Sequence, residues 1–289
     1  MKEIEKTLKK VKKIIKKIPV VSKYFSKVKH KLNGFNSKKN KFQYFKRIQV
    51  DNKKNFKENE IIRITNILNY TKISSTQYSA DKYPAGYHTF EIFGQILEGQ
   101  RNPEKRFSNL EINFKDKRVL DIGSNQGGML FSIRDKIKFG VGIDFDPRMI
   151  NAANRIACTL NEKNLHFYVF DLESEPLELI SDFIPGGKID IIFLLSVCMW
   201  IKNWKLIIDF SSKLAEQMVF ESNGTVEQQR EQEEIIKKYY SKVTLISDRS
   251  DDDPIQKKIF SVRKSCLMFL YIITSCLLFK LYNYNCKQI

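Results

Sequence analysis

The chain withholds sulfur chemistry first. Its five cysteines (Cys158, Cys198, Cys266, Cys276 and Cys286) form no CxxC pair and fall at no metal-ligand spacing. That argues against a disulfide framework and a cysteine-built metal site, and it fits the reduced thiols of a cytoplasmic chain. No lysine-free apolar run of adequate length follows the N-terminal charges, so this stretch is not expected to act as a secretory signal. Histidine is nearly missing too: His30 lies among the N-terminal lysines, His166 falls in an expected strand, and only His88 sits among polar and aromatic neighbours.

A large charge imbalance is also missing from most of the chain. The formal net charge is +17, but residues 1–58 carry +16 of it and the remaining residues only +1. A body that gripped a polyanion would spread its basicity differently. The basic part has its own pattern. Ile4, Leu8, Val11, Ile15 and Ile18 recur at steps of four and three, lysines cover the other faces, and Pro19 stops the run. Residues 1–28 thus read as a basic amphipathic arm suited to an anionic membrane surface. RNA binding through the same lysines and packing on its own domain are the alternatives. Residues 33–57 read as a linker, closing an arm-and-linker region over 1–58, and a helix is expected from Glu58 to Tyr70.

What is present centres on Val119-Leu120-Asp121-Ile122-Gly123-Ser124-Asn125-Gln126-Gly127-Gly128. This is a short buried strand, a glycine-bearing turn, then a helix expected from about Gln126. Glycines let the backbone approach a ligand closely, and the helix start offers unpaired N–H groups. Asp121, two residues before the first glycine, would repel a pyrophosphate and hold an ammonium. That favours S-adenosylmethionine over a dinucleotide.

Strand and helix patterns then alternate, which calls for a mostly parallel sheet covered on both faces. Expected strands are Gly140–Ile143, Leu165–Phe170, Ile189–Leu195, Gln217–Phe220, Lys242–Ile246 and Lys258–Val262, with a helix over Met149–Leu160. Asp144 follows the second strand, 23 residues after Asp121, where an acid bonds ribose hydroxyls in doubly wound folds. Asp171-Leu172 follows the third. The carboxyl ends of parallel strands open into one crevice, so Asp121, Asp144 and Asp171 are expected to converge there.

Residues 117–264 resemble the class I S-adenosylmethionine-dependent methyltransferases. The resemblance implies an α/β, Rossmann-like, doubly wound seven-stranded sheet with an antiparallel last strand; by their own residues the basic arm and a hydrophobic C-terminal tail over 265–289 flank it. It implies that Asp121, Gly123, Ser124, Asn125 and Gly127 hold the methionine part and Asp144 the ribose. Asp171 and Leu172 would frame adenine, with Ser196 and Val197 on the methyl-donor side. The family's commoner G-x-G-x-G stands here as Gly123-Ser124-Asn125-Gln126-Gly127, and asparagine tolerates the backbone angles a glycine would take. No Asn/Asp-Pro-Pro-Tyr/Phe stretch follows the fourth strand, which reads Leu195-Ser196-Val197-Cys198-Met199-Trp200. That argues against adenine-amino methylation, and Cys198 lacks the preceding proline of a cytosine C5 nucleophile.

Residues 59–116 read as a helix and a lid before the core: a hairpin over Tyr83–Leu97 turning at Phe93-Gly94-Gln95, then a short helix at Pro103. Gly99-Gln100-Arg101 to Arg106-Phe107 resembles the approach in bacterial relatives of the wobble-uridine carboxymethyltransferases. The lysine-rich opening with Ile18-Pro19-Val20-Val21 resembles arms on methyltransferases of bacterial surface-polysaccharide clusters. A hydroxyl acceptor benefits from a base, and the candidates are His88, Glu221 and the acids of the stretch before Pro254 (Asp248, Asp251, Asp252 and Asp253), which could also bind a divalent ion or form a solvated acidic turn. The tail, uncharged from Ser265 to Phe279 before Lys280, reads as a membrane tail anchor, an interfacial or buried helix, or an extension. The resulting expectation is an enzyme that methylates an oxygen of a sugar, glycan precursor or other small molecule. An RNA-modifying enzyme (a tRNA methyltransferase among them) and a non-catalytic module that keeps the fold are the alternatives.

Overall fold

The computed structural model describes residues 47–72, 83–107, 111–248 and 258–264. Every element below lies in the unit Val50–Ile289. The arm's amphipathic run, most of the acidic stretch before Pro254 and the hydrophobic tail lie outside the described residues. Among the described residues no helix is long and apolar enough to cross a membrane.

Helix α1 (Phe56–Thr71) begins before the expected Glu58 because Asn55 and Glu58 form a reciprocal capping box, satisfying two otherwise orphaned N–H groups. Next come four short strands: β1 (Gly86–His88), β2 (Phe90–Ile92), β3 (Gln95–Leu97) and β4 (Gly99–Arg101). The expected single hairpin is therefore two ladders: β2 pairs antiparallel with β3, and β1 pairs parallel with β4. Only Phe93 and Gly94 form the turn, both at positive φ (53° and 78°) as a tight two-residue hairpin loop demands, and Gln95 already pairs with Ile92. A Cβ on Gly99 would lie 2.1 Å from the His88 carbonyl carbon, so glycine permits the β1–β4 approach. Helix α2 (Pro103–Phe107) follows, as expected from Pro103.

The core contains β5 (Arg118–Ile122), α3 (Gly128–Phe131), β6 (Phe139–Asp144), α4 (Pro147–Leu160), β7 (Leu165–Val169), β8 (Ile191–Leu195), α5 (Trp204–Leu214), β9 (Gln217–Glu221), α6 (Val226–Tyr239), β10 (Lys242–Ser247) and β11 (Ile259–Arg263). They build one seven-stranded sheet ordered β10-β11-β9-β8-β5-β6-β7. β5, β6, β7, β8 and β9 pair parallel, and β11 runs antiparallel to both β9 and β10. This is the expected doubly wound arrangement with an antiparallel last strand.

Alternate residues of each central strand feed opposite cores. Val119, Phe193 and Val219 pack with α1, α3, α4 and β2, through Ile64, Leu68, Phe90, Ile92, Leu130 and Ile156. Leu120, Ile122, Ile192, Leu194, Met218 and Phe220 pack on the other face with Ile207, Ile208, Ile236 and Tyr240. Both faces are covered, which is why these strands read as apolar runs rather than alternating ones. From β5 the chain winds outward through β6 to β7, then returns to β8 on the other side of β5. That reversal opens a crevice at the carboxyl ends of β5 and β8. On its edge, Asp121 projects from the face of β5 opposite that of Leu120 and Ile122.

Candidate active site

The turn after β5 folds against the end of β6. Gly123 and Ser124 both donate to the Ile143 carbonyl (2.9 Å each), and the Gly127 N–H returns to the Ser124 carbonyl at 2.8 Å. Gly123, Asn125 and Gly127 take φ of 77°, 52° and 78°. Asn125 therefore adopts the left-handed conformation at the position where the family's pattern carries glycine. A Cβ at Gly123 would meet Val197 Cγ2 at 2.6 Å, and one at Gly127 would meet the Phe167 ring at 2.5 Å. The helix expected from about Gln126 starts two residues later, because the left-handed Gly127 is its cap, and it runs only one turn.

Asp144 is tied to this turn. Its Oδ2 accepts from the Asn125 N–H and its Oδ1 from the Asp146 N–H, both at 2.9 Å. Burial raises its carboxyl to about 6, although those two bonds pull the other way. Asp121 is 2% exposed, and its Oδ2 has no hydrogen-bond partner among the described residues. Burial lifts it to about 7, with Arg106 opposing the rise and the charge of Asp144 adding to it. The two carboxylates thus act on each other at one mouth of the sheet. Asp171 differs: its carboxylate accepts from the Glu173 N–H (2.9 Å) and Ser174 Oγ (2.8 Å), closing a turn of its own. That turn stands beside Asp144, because the Phe170 N–H donates to the Asp144 carbonyl at 3.0 Å. Leu172 lines a 690 Å³ cavity with Leu177, Leu206 and Phe210, and none of Asp121, Ser124 or Asp144 borders it.

The segment of β1–β4 and α2 reaches the same mouth. His88 is 2% exposed, neither ring nitrogen has a partner among the described residues, and its side chain packs where a Gly128 Cβ would sit. Burial, then the charges of Arg106 and Arg101, hold it well below the usual histidine range, so it is neutral near pH 7. Its N–H donates to Gln126 Oε1 (3.3 Å), and Gln126 Nε2 donates to Thr71 Oγ1 (2.7 Å). One glutamine in the turn thereby joins α1, β1 and the site. Glu221, fully buried at the end of β9, is paired with Arg101 (3.3 Å) and with Arg106. Ser196, just past β8, takes φ of 60°, and its buried Oγ has no partner among the described residues.

Asp121 Oδ2, Ser124 Oγ, Ser196 Oγ and both His88 nitrogens are thus buried polar atoms without a partner among the described residues. Such atoms are costly unless something completes them. Asp121 suits an ammonium, and Asp144, with its carboxylate fixed by two backbone donors, suits vicinal hydroxyls. The set fits the amino-acid and ribose parts of a sulfonium nucleoside. The roles of Arg101, Arg106 and Gln126 were missed in the sequence. The arginines stand in a quoted motif, but nothing local says that both reach a carboxylate more than a hundred residues away.

The chain matches the family model described as a methyltransferase domain over residues 113–264. It is similar in structure to the N-terminal domain of EvdMO1 with SAH bound, at 10% identity and a TM-score of 0.52, covering 73% of this chain and 98% of that one. It is also similar to the bifunctional kinase-methyltransferase WbdD, at 20% identity and a TM-score of 0.44, covering 56% of this chain and 40% of that one. No curated protein sequence matches it.

Proposed function

Because this chain belongs to the class I S-adenosylmethionine-dependent methyltransferases, we propose that it transfers the methyl group to an oxygen of a sugar, a glycan precursor or another small molecule. The observation that carries this reading is the set of buried, unpartnered polar atoms beneath a lid pinned through Glu221. An enclosed site of that kind takes a small acceptor more readily than a folded nucleic acid. The near-neutral charge beyond residue 58 supports the same choice.

We assign the ammonium of the cofactor to Asp121, its ribose to Asp144, and its adenine to the segment of Asp171 and Leu172. Gly123, Ser124, Asn125 and Gly127 shape the cradle, and Ser196 with Val197 lines the methyl-donor side. The bound cofactor supplies an electrophilic methyl on sulfonium. The protein's part is alignment and exclusion of water. His88 and Glu221 take roles other than the expected base in this reading. The charges of Arg101 and Arg106 oppose an imidazolium, so His88 serves better as a hydrogen-bond donor to the methionine carboxylate. Glu221, paired with both arginines, latches the lid. We assign residues 1–28 to an anionic membrane surface on the cytoplasmic side, which flotation with anionic vesicles, with and without residues 1–58, tests.

Glycans and small metabolites of deletion and parent cells should differ by one missing methyl group. Purified protein should move a labelled methyl from the cofactor to that compound. Label recovered only in RNA would overturn the acceptor assignment and leave the cofactor site standing.

A further inference from the structure

We propose that Asn223 is a positioning residue whose side-chain amide holds Ser196 in its left-handed backbone conformation and thereby sets the methyl-donor side of the cofactor site. The inference rests on the placement of Ser196 beside the cofactor argued above. It adds a residue two positions beyond β9, on a different element from the turn after β5.

The parallel pairing of β8 and β9 ends at Leu195 with Glu221, and the Ser196 N–H adds one more rung by donating to the Glu221 carbonyl at 3.0 Å. There Ser196 turns to φ of 60°, a region a serine enters at a cost. The amide of Asn223 supplies the missing rungs. Its Nδ2 donates to the Ser196 carbonyl at 2.5 Å, and its Oδ1 accepts from the Met199 N–H at 2.9 Å. One planar amide thus brackets the loop on both sides of Val197 and Cys198.

Asn223 is itself immobilised. It is 1% exposed, its N–H donates to Gln232 Oε1 (3.1 Å), and its carbonyl accepts from Gln232 Nε2 (2.9 Å). Gln232, on α6, is also 1% exposed. The neighbouring Ser222 donates to Gln229 Oε1 at 2.9 Å, and the Gln229 Nε2 donates to the Gly224 carbonyl at 3.1 Å. A helix face that should be apolar carries two buried glutamines instead. Each would be costly without a partner, and together they fix the chain just past Glu221. Three consecutive residues then act in three directions: Glu221 on the lid, Ser222 on α6, and Asn223 on the loop after β8.

The test is a double-mutant cycle in the full chain, read by calorimetric titration with S-adenosylmethionine. Asn223→Ser removes the bracket, and Ser196→Gly removes the penalty for positive φ. If Asn223 acts through the conformation of Ser196, N223S weakens cofactor binding about tenfold in the parent and about fivefold less in the S196G background, since glycine needs no holding. A residue that only stabilises the fold costs the same factor in both backgrounds, and that result overturns the proposal, as does unchanged affinity in N223S. Should N223S not fold, Asn223→Asp keeps the volume and the acceptor for Met199 while setting an oxygen against the Ser196 carbonyl. The same loss, relieved by S196G, is expected, and equal loss in both backgrounds again overturns the proposal. A parent protein that binds no cofactor would refute the reading of the site itself, a different failure.

Discussion

Replacing Asp121 with asparagine should make the cofactor-free protein more stable at alkaline pH while impairing its binding. The carboxyl is raised from 3.8 to about 7 by burial, so the folded state holds a proton that the unfolded chain releases earlier. A folded-state value above the unfolded one contributes stability that is fully present below about pH 4 and lost as pH rises through about 7. At about 1.4 kcal/mol per unit, the three-unit shift amounts to roughly 4 kcal/mol of strain in the ionised form at pH 8. Asparagine abolishes that titration, although its own buried amide gives back about 1–2 kcal/mol if left unpaired. The advantage of D121N over the parent should therefore grow by about 3 kcal/mol between pH 5 and pH 8, or several degrees of melting temperature. Melts across that range without cofactor read this directly. Cofactor affinity should move the other way. The parent needs an ionised Asp121 to meet an ammonium, so its affinity should fall about tenfold per unit below pH 7, whereas D121N binds weakly with a flat profile from pH 8 down to about 6, where Asp144 begins to titrate. A D121N protein less stable than the parent at pH 8, or a parent affinity constant from pH 6 to 8, would refute the reasoning.

Glu221→Gln leaves two buried guanidinium groups without their shared carboxylate and should cost about 3–5 kcal/mol in denaturant unfolding, whereas the exposed Lys213–Asp209 pair should contribute almost nothing. Gly127→Ala puts a methyl 2.5 Å from the Phe167 ring at a φ of 78°, so a loss of about 2–3 kcal/mol is expected by the same measurement, with weaker cofactor binding. His88→Ala should weaken binding of S-adenosylmethionine about tenfold or more but change binding of its decarboxylated analogue little. Equal losses for both ligands would show that the imidazole does not meet the carboxylate.

Much of the sheet was legible because parallel strands buried on both faces must be apolar runs, and those runs end in acids at the crevice. Asp121 and Asp144 come together for that reason, and Asn125 was readable as a glycine substitute because asparagine tolerates positive φ. Asp171 was legible as a strand-end acid, but the turn that engages its carboxylate depends on Glu173 and Ser174, whose pattern is that of any polar loop. The lid was harder. Its pairing of β1 with β4 needs the missing side chain of Gly99 against the backbone of His88, a contact no local periodicity reports. The polar contacts of Asn223, Gln229 and Gln232 were invisible because buried glutamines on a helix look like its solvated face until their partners are known. Strand ends drifted by a residue or two for the usual reason, that pairing partners rather than propensity decide where a ladder stops.

Calorimetric titration of S-adenosylmethionine into the full chain at pH 8 reaches the central claim most directly. The account predicts saturable binding at one site per chain, displaced by S-adenosylhomocysteine and largely lost when Asp121 and Asp144 are both replaced by their amides. A folded protein that shows no saturable heat, or that binds equally well without those two carboxylates, would contradict it.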